Sequence, residues 1–370
     1  MKGQWVGDYQ GSNIGKIIIN VDELSNSFKG VAYINDENSD LPSSAIAFET
    51  PNKNRSSEFE VKVFPINPQT GMADNWQNIQ RLFNSNIIFP TDATVTIKWN
   101  YKVLKISWKT SINTFGVANL PKSQTNQPSI LSPLKKNWSS YKKFASEIDH
   151  RKYIFRGQNK PWRLRTSFHR HGRSDLVRFI SEDISTLHKH LSARTKHIFN
   201  LQIPDENGAF FNFVQHHGYP TPLLDWTYSP YVAAYFAYRG ITSSDAKKAN
   251  KTDRVRIHVL DQTNWQKDFI QLKQLATSNL HFSINEFMAI ENERMIPQQA
   301  ISSVTNIDDI ETYIKQLESN GKTYLQAIDL PVKERDQVLM ELQYMGITSG
   351  SLFPGYDGTC EEFKERLFKI

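Results

Sequence analysis

The chain has 370 residues, a single cysteine (Cys360) and no apolar run of membrane-spanning length. This composition excludes an internal disulfide and a metal site built from several cysteines. The N-terminus has no signal-peptide core, so we expect a cytoplasmic protein without a membrane partner, and the length favours two domains.

Positive charge is concentrated in one part of the chain. The net charge is +6, but residues 121–200 hold 17 Lys and Arg against 5 Asp and Glu, whereas residues 201–370 hold 16 against 22. Such a basic block is typical of a surface that binds phosphate, on a nucleotide or on nucleic acid. The alternative is an ordinary solvated surface.

Residues 1–120 are predicted to be all-β. Short β-branched and aromatic segments alternate with polar turns, which is typical of a small sandwich or barrel. The predicted strands cover residues 17–21, 30–34, 59–64, 93–99 and 103–108. Because no catalytic constellation is present, we expect a recognition or sensing domain whose ligand or trigger the sequence does not identify.

A linker is predicted over residues 121–137, because the stretch from Pro121 to Ser129 is polar and bracketed by prolines. Beyond it, apolar periodicity predicts helices and one strand. The helices are expected over residues 138–148, 175–200, 308–319 and 334–345, and the strand over residues 254–260.

The segment over residues 215–230 is the strongest candidate for a binding site. Gly218 and its prolines favour a rigid turn, Leu223-Leu224 predicts a short buried strand, and Ser229-Pro230 predicts the cap of a following helix. A helix N-terminus at such a turn favours an anionic ligand. The alternative is a structural junction in which Asp225 and Ser229 serve only as caps.

Two further segments carry candidate side chains. The strand predicted over residues 153–158 ends in Arg156 and Gly157, which suit phosphate or carboxylate binding, although a salt bridge is the alternative. A second strand, predicted over residues 292–299, carries acidic, basic and amide side chains, with a polar edge strand as the alternative. No ligand cluster accompanies His216-His217, so we expect no metal site.

Four groups of residues in the second part of the chain form one pattern. In chain order they are Phe155-Arg156-Gly157; His216-His217-Gly218 with residues 220–227 and Ser229-Pro230; Asn292, Arg294 and Gln298; and Gly346-Ile347 with Leu352-Phe353-Pro354 and Asp357-Gly358. This pattern resembles the FRG domain, a family named for its Phe-Arg-Gly motif. The resemblance covers about residues 138–370 and leaves residues 1–120 outside it.

The resemblance implies a fold class and an activity. FRG domains occur in bacterial phage-defence and toxin-like contexts, and their layout looks like that of ADP-ribosyltransferases. The expected architecture is an all-β N-terminal sandwich or barrel followed by an α+β FRG domain. The expected activity cleaves the nicotinamide–ribose bond of NAD, the substrate, without a metal. The acceptor would be nucleic acid or protein, held by the basic region over residues 121–200, or water.

The same resemblance implies two sets of site residues. Those expected to be catalytic are Arg156, Asp225, Thr227, Glu293 and Gln298. Those expected to hold NAD are Arg156, Gly157, Gln158, His217, Trp226, Tyr228, Ser229 and Arg294.

The sequence departs from the transferase pattern at the catalytic glutamate. Gln298 takes that position and cannot carry negative charge, whereas Glu293 is an odd number of residues away and would face the other side of a strand. Asp225 is an alternative source of the charge. The rival hypothesis is therefore a sensor that binds a nucleotide or nucleic acid without catalysis.

Overall fold

Two β-sheets, one after the other along the chain, organise the computed structural model, which describes residues 1–319 and 321–368. Every helix among these residues is too short or too polar to cross a lipid bilayer.

The first sheet contains nine antiparallel strands, as the all-β prediction requires. Its order is β5-β7-β8-β9-β1-β2-β3-β4-β6. A short helix, α1 (Trp76–Ile79), and a 3-10 turn at Gln80–Leu82 lie in the β6–β7 connection. The strands are β1 (Gly3–Gly11), β2 (Ile14–Glu23), β3 (Phe28–Asp36), β4 (Ser44–Glu49), β5 (Ser56–Lys62), β6 (Phe64–Pro65), β7 (Asp92–Trp99), β8 (Val103–Thr110) and β9 (Phe115–Pro121).

This sheet curls into a barrel-like shape. Strand β5, at one end of the sheet order, lies beside β4 near the other end, and the rings of Phe48 and Phe59 stack across the gap with centroids 6.0 Å apart. Side chains that alternate along each strand line the inside, among them Ile17 and Ile19 of β2. Of the two predicted architectures, sandwich and barrel, the structure therefore has the second.

The second sheet has seven strands in the order β10-β16-β13-β11-β12-β15-β14, and its only parallel pair within the described residues is β10–β16. Helices cover both of its faces, so this part of the chain is mixed α/β. The strands are β10 (Leu134–Lys135), β11 (Tyr153–Gln158), β12 (Leu223–Thr227), β13 (Arg254–Asp261), β14 (Phe282–Asn285), β15 (Ala300–Thr305) and β16 (Leu325–Pro331).

The helices of this part include those predicted near residues 138, 308 and 334, together with several that the apolar pattern did not indicate. The helices are α2 (Trp138–Glu147), α3 (Ser167–Arg170), α4 (Leu176–Arg178), α5 (Ser185–Leu191), α6 (Pro204–His216), α7 (Pro230–Tyr238), α8 (Ser243–Lys248), α9 (Gln262–Asp268), α10 (Ile310–Leu317), α11 (Arg335–Tyr344), α12 (Ser349–Leu352) and α13 (Tyr356–Phe368), with a π-helical turn at Phe179–Ile184 and a 3-10 turn at Val332–Glu334.

The helix predicted over residues 175–200 is confirmed up to Leu191 and wrong beyond it. Helix α4, the π-helical turn and α5 follow one another without a break over residues 176–191, and the helix ends there. Beyond that point the chain folds back, so that Phe199 packs against Phe210 and its carbonyl oxygen lies 2.7 Å from His188 Nε2. Burial of Phe199 in this aromatic cluster therefore decides where the helix stops.

The prediction of a strand over residues 292–299 is wrong. These residues form consecutive turns, and β15 begins at Ala300. The backbone takes positive φ angles at Glu291 (52°) and Gln299 (46°), which bracket the turns and are incompatible with a strand. The argument that Glu293 and Gln298 face opposite sides of a strand no longer applies.

The segment between the sheets is fixed to the second sheet and its helices. Glu311 of α10 accepts hydrogen bonds from Ser129 Oγ and from the backbone N–H groups of Ile130 and Leu164, each at 2.9–3.0 Å. Burial alone would raise the pKa of Glu311, but its contact with His258 and the two backbone donors lower it. This carboxylate therefore anchors the connection to the sheet.

The outer wall of the barrel packs against the C-terminal part. Ile18, Val31 and Tyr33 point outward from β2 and β3 and cluster with Leu280. Beside them the fully buried carboxylate of Asp22 accepts hydrogen bonds from Arg173 Nε at 2.5 Å and from nearby backbone N–H groups. The two parts of the chain therefore share apolar and ionic contacts.

Replacing Asp22 with alanine is expected to lower the free energy of unfolding by about 3–5 kcal/mol, because the partly buried guanidinium of Arg173 loses one of its two acidic partners and two buried backbone N–H groups lose their acceptor. Urea unfolding followed by circular dichroism measures the change. Asp8→Ala is the matched control, since Asp8 pairs with Lys16 on the exposed surface at 3.3 Å and is expected to matter by less than about 1 kcal/mol. Equal losses in the two variants would contradict this account of the interface.

The protein is expected to lose stability as the pH falls from 6.5 towards 4. Burial lowers the pKa of His169 from 6.5 to about 4, so the neutral ring stabilises the fold above pH 6.5 and this contribution disappears on acidification. The loss is on the order of 3 kcal/mol. His169→Gln is expected to reduce this fall in unfolding free energy without abolishing it, because burial also lowers the pKa of His281 to about 4. The exposed control His190→Gln is expected to leave the fall unchanged.

Candidate functional site

A pocket of about 290 Å³ lies beside β11, the central strand of the second sheet, and its neighbour β12. Helix α7, the end of α6 and the turns before β15 complete its walls. The lining residues are Phe155, Arg156, Gly157, Asn212, Gln215, His216, Asp225, Trp226, Thr227, Ala233, Phe236, Asn292, Arg294, Met295, Gln298, Ala300, Ser302 and Phe353.

Gly157 lets α7 lie directly against β11. A Cβ atom at this position would stand 2.0 Å from the carbonyl oxygen of Ala233 and 2.6 Å from the backbone nitrogen of Ala237. No larger residue fits without moving the helix away from the strand. The glycine therefore admits the helix, and this contact sets one wall of the pocket.

Arg156 bridges β11 and β12 where their pairing is short. Within the described residues the ladder between these strands consists of the pair Phe155–Thr227. Arg156 Nη1 donates a 2.6 Å hydrogen bond to the carbonyl oxygen of Asp225. Burial lowers the pKa of Arg156 to about 10, so the guanidinium is still positive at neutral pH.

Asp225 supplies the acidic side chain of the pocket. Gln215 donates to its Oδ1, and the hydroxyl of Thr221 in turn donates to Gln215, so the amide is held in one orientation. Protein surrounds the Asp225 side chain, but the side chain is exposed to the solvent that fills the pocket. This enclosure raises the pKa of Asp225, while Arg156, Gln215 and Arg170 act in the opposite direction.

His216 and Asn292 form a polar pair on another wall. His216 Nδ1 lies 2.7 Å from Asn292 Oδ1, which also accepts from the backbone N–H of Arg294 at 3.3 Å. The amide oxygen therefore faces the ring, Nδ1 carries the proton and Nε2 remains an acceptor. Burial lowers the pKa of His216, which favours the neutral ring at pH 7.

Two guanidinium groups in the pocket have unused donors. Arg156 Nε and Arg294 Nε are shielded by protein and have no hydrogen-bond partner among the described residues. Arg294 lies over the ring of Phe353, 4.9 Å from its centroid, and Arg239 lies over the same ring at 4.0 Å. Unpaired buried donors are rare in proteins, and a bound anion would satisfy both.

The pocket brings together many of the residues singled out in the sequence and leaves others outside. Those lining it are Arg156, Gly157, Asp225, Trp226, Thr227, Arg294 and Gln298. Those outside its lining are Gln158, His217, Tyr228, Ser229 and Glu293.

Several of these residues have structural partners that occupy their polar groups. Thr227 Oγ1 donates to the carbonyl oxygen of Gln298 and accepts from Ser229 N, and Ser229 caps α7 by accepting from Val232 N, as predicted. The indole of Trp226 is buried and donates to Ser303 Oγ.

The remaining polar candidates also have defined positions. Tyr228 donates to Glu286, and Gln298 Nε2 donates to the carbonyl oxygen of Leu352 at 2.9 Å. Glu293 is exposed in the turns before β15. Asp225 is therefore the acid that reaches the pocket, and Gln298 contributes a neutral amide to the same lining.

Sequence reasoning missed the contribution of α6. This helix ends at His216, and it places His216, Gln215 and Asn212 in the pocket, while the ring of the following His217 packs against Phe213 at 4.8 Å. The apolar spacing of Phe210, Phe213 and Val214 would have indicated the helix, and its phase would have favoured His216 over His217.

Part of the basic region is paired with acids from distant parts of the chain. Arg163 and Arg165 bind Asp309 and Asp308 at 2.9 and 2.7 Å, and Lys142 binds Glu341 at 2.5 Å. The positive charge of residues 121–200 is thus partly neutralised inside the fold. Within the described residues, no group of three or more His, Cys, Asp or Glu side chains is arranged to hold a metal ion.

Comparison with known proteins identifies one family. The model of the FRG domain family matches residues 151–246, the segment that contains β11, β12 and α7. No curated protein and no solved structure matches the chain. The matched segment includes Arg156, Gly157 and Asp225 and forms the central strands of the pocket, so this protein contains an FRG domain.

Proposed function

We propose that the FRG domain binds NAD in this pocket and cleaves its nicotinamide–ribose bond, as an ADP-ribosyltransferase-like enzyme. The observation that carries the proposal is the meeting of one carboxylate, Asp225, with the guanidinium groups of Arg156 and Arg294 in a single cavity. The proposed biological role is that of a toxin-like or antiviral effector, in keeping with the contexts of FRG domains.

The charges of the pocket complement the ribose of NAD, which becomes positive during cleavage, and the negative pyrophosphate next to it. Cleavage breaks the C1′–N bond, nicotinamide leaves with the electron pair, and positive charge develops on the ribose. The carboxylate of Asp225 stabilises this oxocarbenium-like state, and the unpaired Nε groups of Arg156 and Arg294 bind the pyrophosphate oxygens.

In this proposal His216 acts on the acceptor. Its neutral ring, oriented by Asn292, offers Nε2 as a base for the proton that the acceptor loses when it attacks C1′. With water as the acceptor the protein is an NAD glycohydrolase, and with a nucleic-acid or protein group it is a transferase. A volume of about 290 Å³ is small for a whole dinucleotide, so the adenosine end lies outside the pocket in this proposal.

Asp225→Asn is expected to lower the rate of nicotinamide release from NAD by at least about 100-fold, because the amide keeps the shape of the side chain and removes its charge. Release is measured by chromatography of the purified full chain. Glu293→Gln is the matched control, since this acid is exposed and outside the pocket, and its rate is expected to equal that of the wild type. A similar loss in both variants would argue against Asp225 as the catalytic charge.

Arg294→Gln is expected to raise the Kd for ADP-ribose by about 10- to 100-fold, the effect of losing a charge-assisted hydrogen bond to phosphate. Calorimetric titration measures the affinity. Arg151→Gln is the control, because Arg151 is exposed and stacks on Tyr228 outside the pocket, 4.3 Å from the ring centroid. Unchanged affinity in Arg294→Gln would place the phosphates elsewhere.

The second candidate is a sensor that binds a nucleotide or nucleic acid without turnover. The neutral amide of Gln298, where a transferase would have its glutamate, favours this candidate. It requires the guanidinium groups but no carboxylate. Tight binding of ADP-ribose or NAD without nicotinamide release, by a folded wild-type chain, would select the sensor over the enzyme.

A further inference from the structure

The N-terminal barrel encloses a second cavity, of about 410 Å³, remote from the FRG pocket. We propose that this cavity is a binding site for an apolar small molecule whose polar end is neutral or cationic, and that the molecule enters through one end of the barrel. The proposal concerns residues 1–120 and does not depend on the activity of the FRG domain.

The inside of the barrel is apolar and incompletely filled. Side chains from β2, β3, β4, β5, β7 and β8 point into the cavity, and aliphatic or aromatic groups predominate among them, including Ile19, Ile46, Val95 and Trp108. Protein interiors are normally packed without voids of this size. A cavity of several hundred Å³ in a small barrel is typical of a ligand site.

One end of the barrel provides an entrance. The turns β1–β2 and β8–β9, the β3–β4 connection and the stretch before β7 all contribute cavity residues at that end. Three apolar side chains that line the cavity are exposed to solvent: Ile88 (72%), Phe115 (56%) and Ile112 (37%). Exposed apolar groups around an opening favour the entry of an apolar molecule.

The polar groups near this end define the preferred head group. Tyr9 OH donates to Asp36 Oδ2 at 3.1 Å, and Asn13 Nδ2 donates to the same oxygen at 2.8 Å. No Lys, Arg or His side chain lines the cavity among the described residues, and Asp36 is its acidic group. An anionic head would meet this carboxylate without a compensating cation, whereas a hydroxyl or an ammonium group would bind to it.

The test uses the full chain and the neutral fluorescent probe N-phenyl-1-naphthylamine, with 1-dodecanol, dodecylamine and dodecanoate as competitors. We expect saturable probe binding that dodecanol and dodecylamine displace, and that dodecanoate displaces at least about 10-fold less well. No saturable binding by the wild type would overturn the proposal. Equal competition by dodecanoate would overturn the assignment of the head group.

Cavity-filling variants locate the bound probe. Ala32 and Ala93 line the cavity and are buried, so Ala32→Trp and Ala93→Phe are each expected to lower probe affinity by at least about 10-fold. Ala47→Trp is the matched control, because Ala47 is exposed on the neighbouring strand β4. Circular dichroism selects the variants that fold. Equal probe binding in a folded filled variant and in the control would place the probe outside the barrel and refute the site.

Discussion

The contact between Gly157 and Ala233 is the constraint on which the FRG pocket depends. With no side chain at residue 157, the backbone of α7 rests on β11 at a separation that any Cβ would block. The neighbouring residues of the motif have different tasks: Phe155 is buried in the core beneath α7, while Arg156 reaches across to Asp225 on β12. Three consecutive residues thus provide a buried core side chain, a charge at the pocket and the space in which α7 packs against the strand.

Basic and acidic side chains that are far apart in the sequence pair with each other in the fold. The excess of Lys and Arg over residues 121–200 meets acids of the last hundred residues, as in the pairs Arg163–Asp309 and Arg165–Asp308, and meets the barrel at Asp22. Groups paired in this way contribute little field at a distance. The guanidinium groups whose donors remain unused in the FRG pocket therefore have more influence on an anion there than the total charge of the region suggests.

Features set by neighbouring residues were predictable from the sequence, and features set by distant packing were not. The Ser229 cap and the left-handed Gly346 after α11 follow from local chemistry. The end of α5 depends on where Phe199 is buried, and the closure of the barrel depends on edge strands that are distant in sequence. The site was predictable in part: the FRG motif and Asp225 lie in the pocket, but the position of His216 in its lining required the phase of α6.

Strand β2 has apolar side chains on both faces, since Ile17 and Ile19 point into the barrel and Ile18 packs towards Leu280 of the C-terminal part. A surface strand of a free-standing barrel would alternate apolar with polar residues. Neighbouring positions of β2 are therefore constrained by different contacts: one must fit the barrel interior, and the next must fit the surface of the C-terminal part. The barrel cannot be exchanged for another β-barrel, or isolated as a fragment, without redesign of its outer wall, because the C-terminal part packs on that wall.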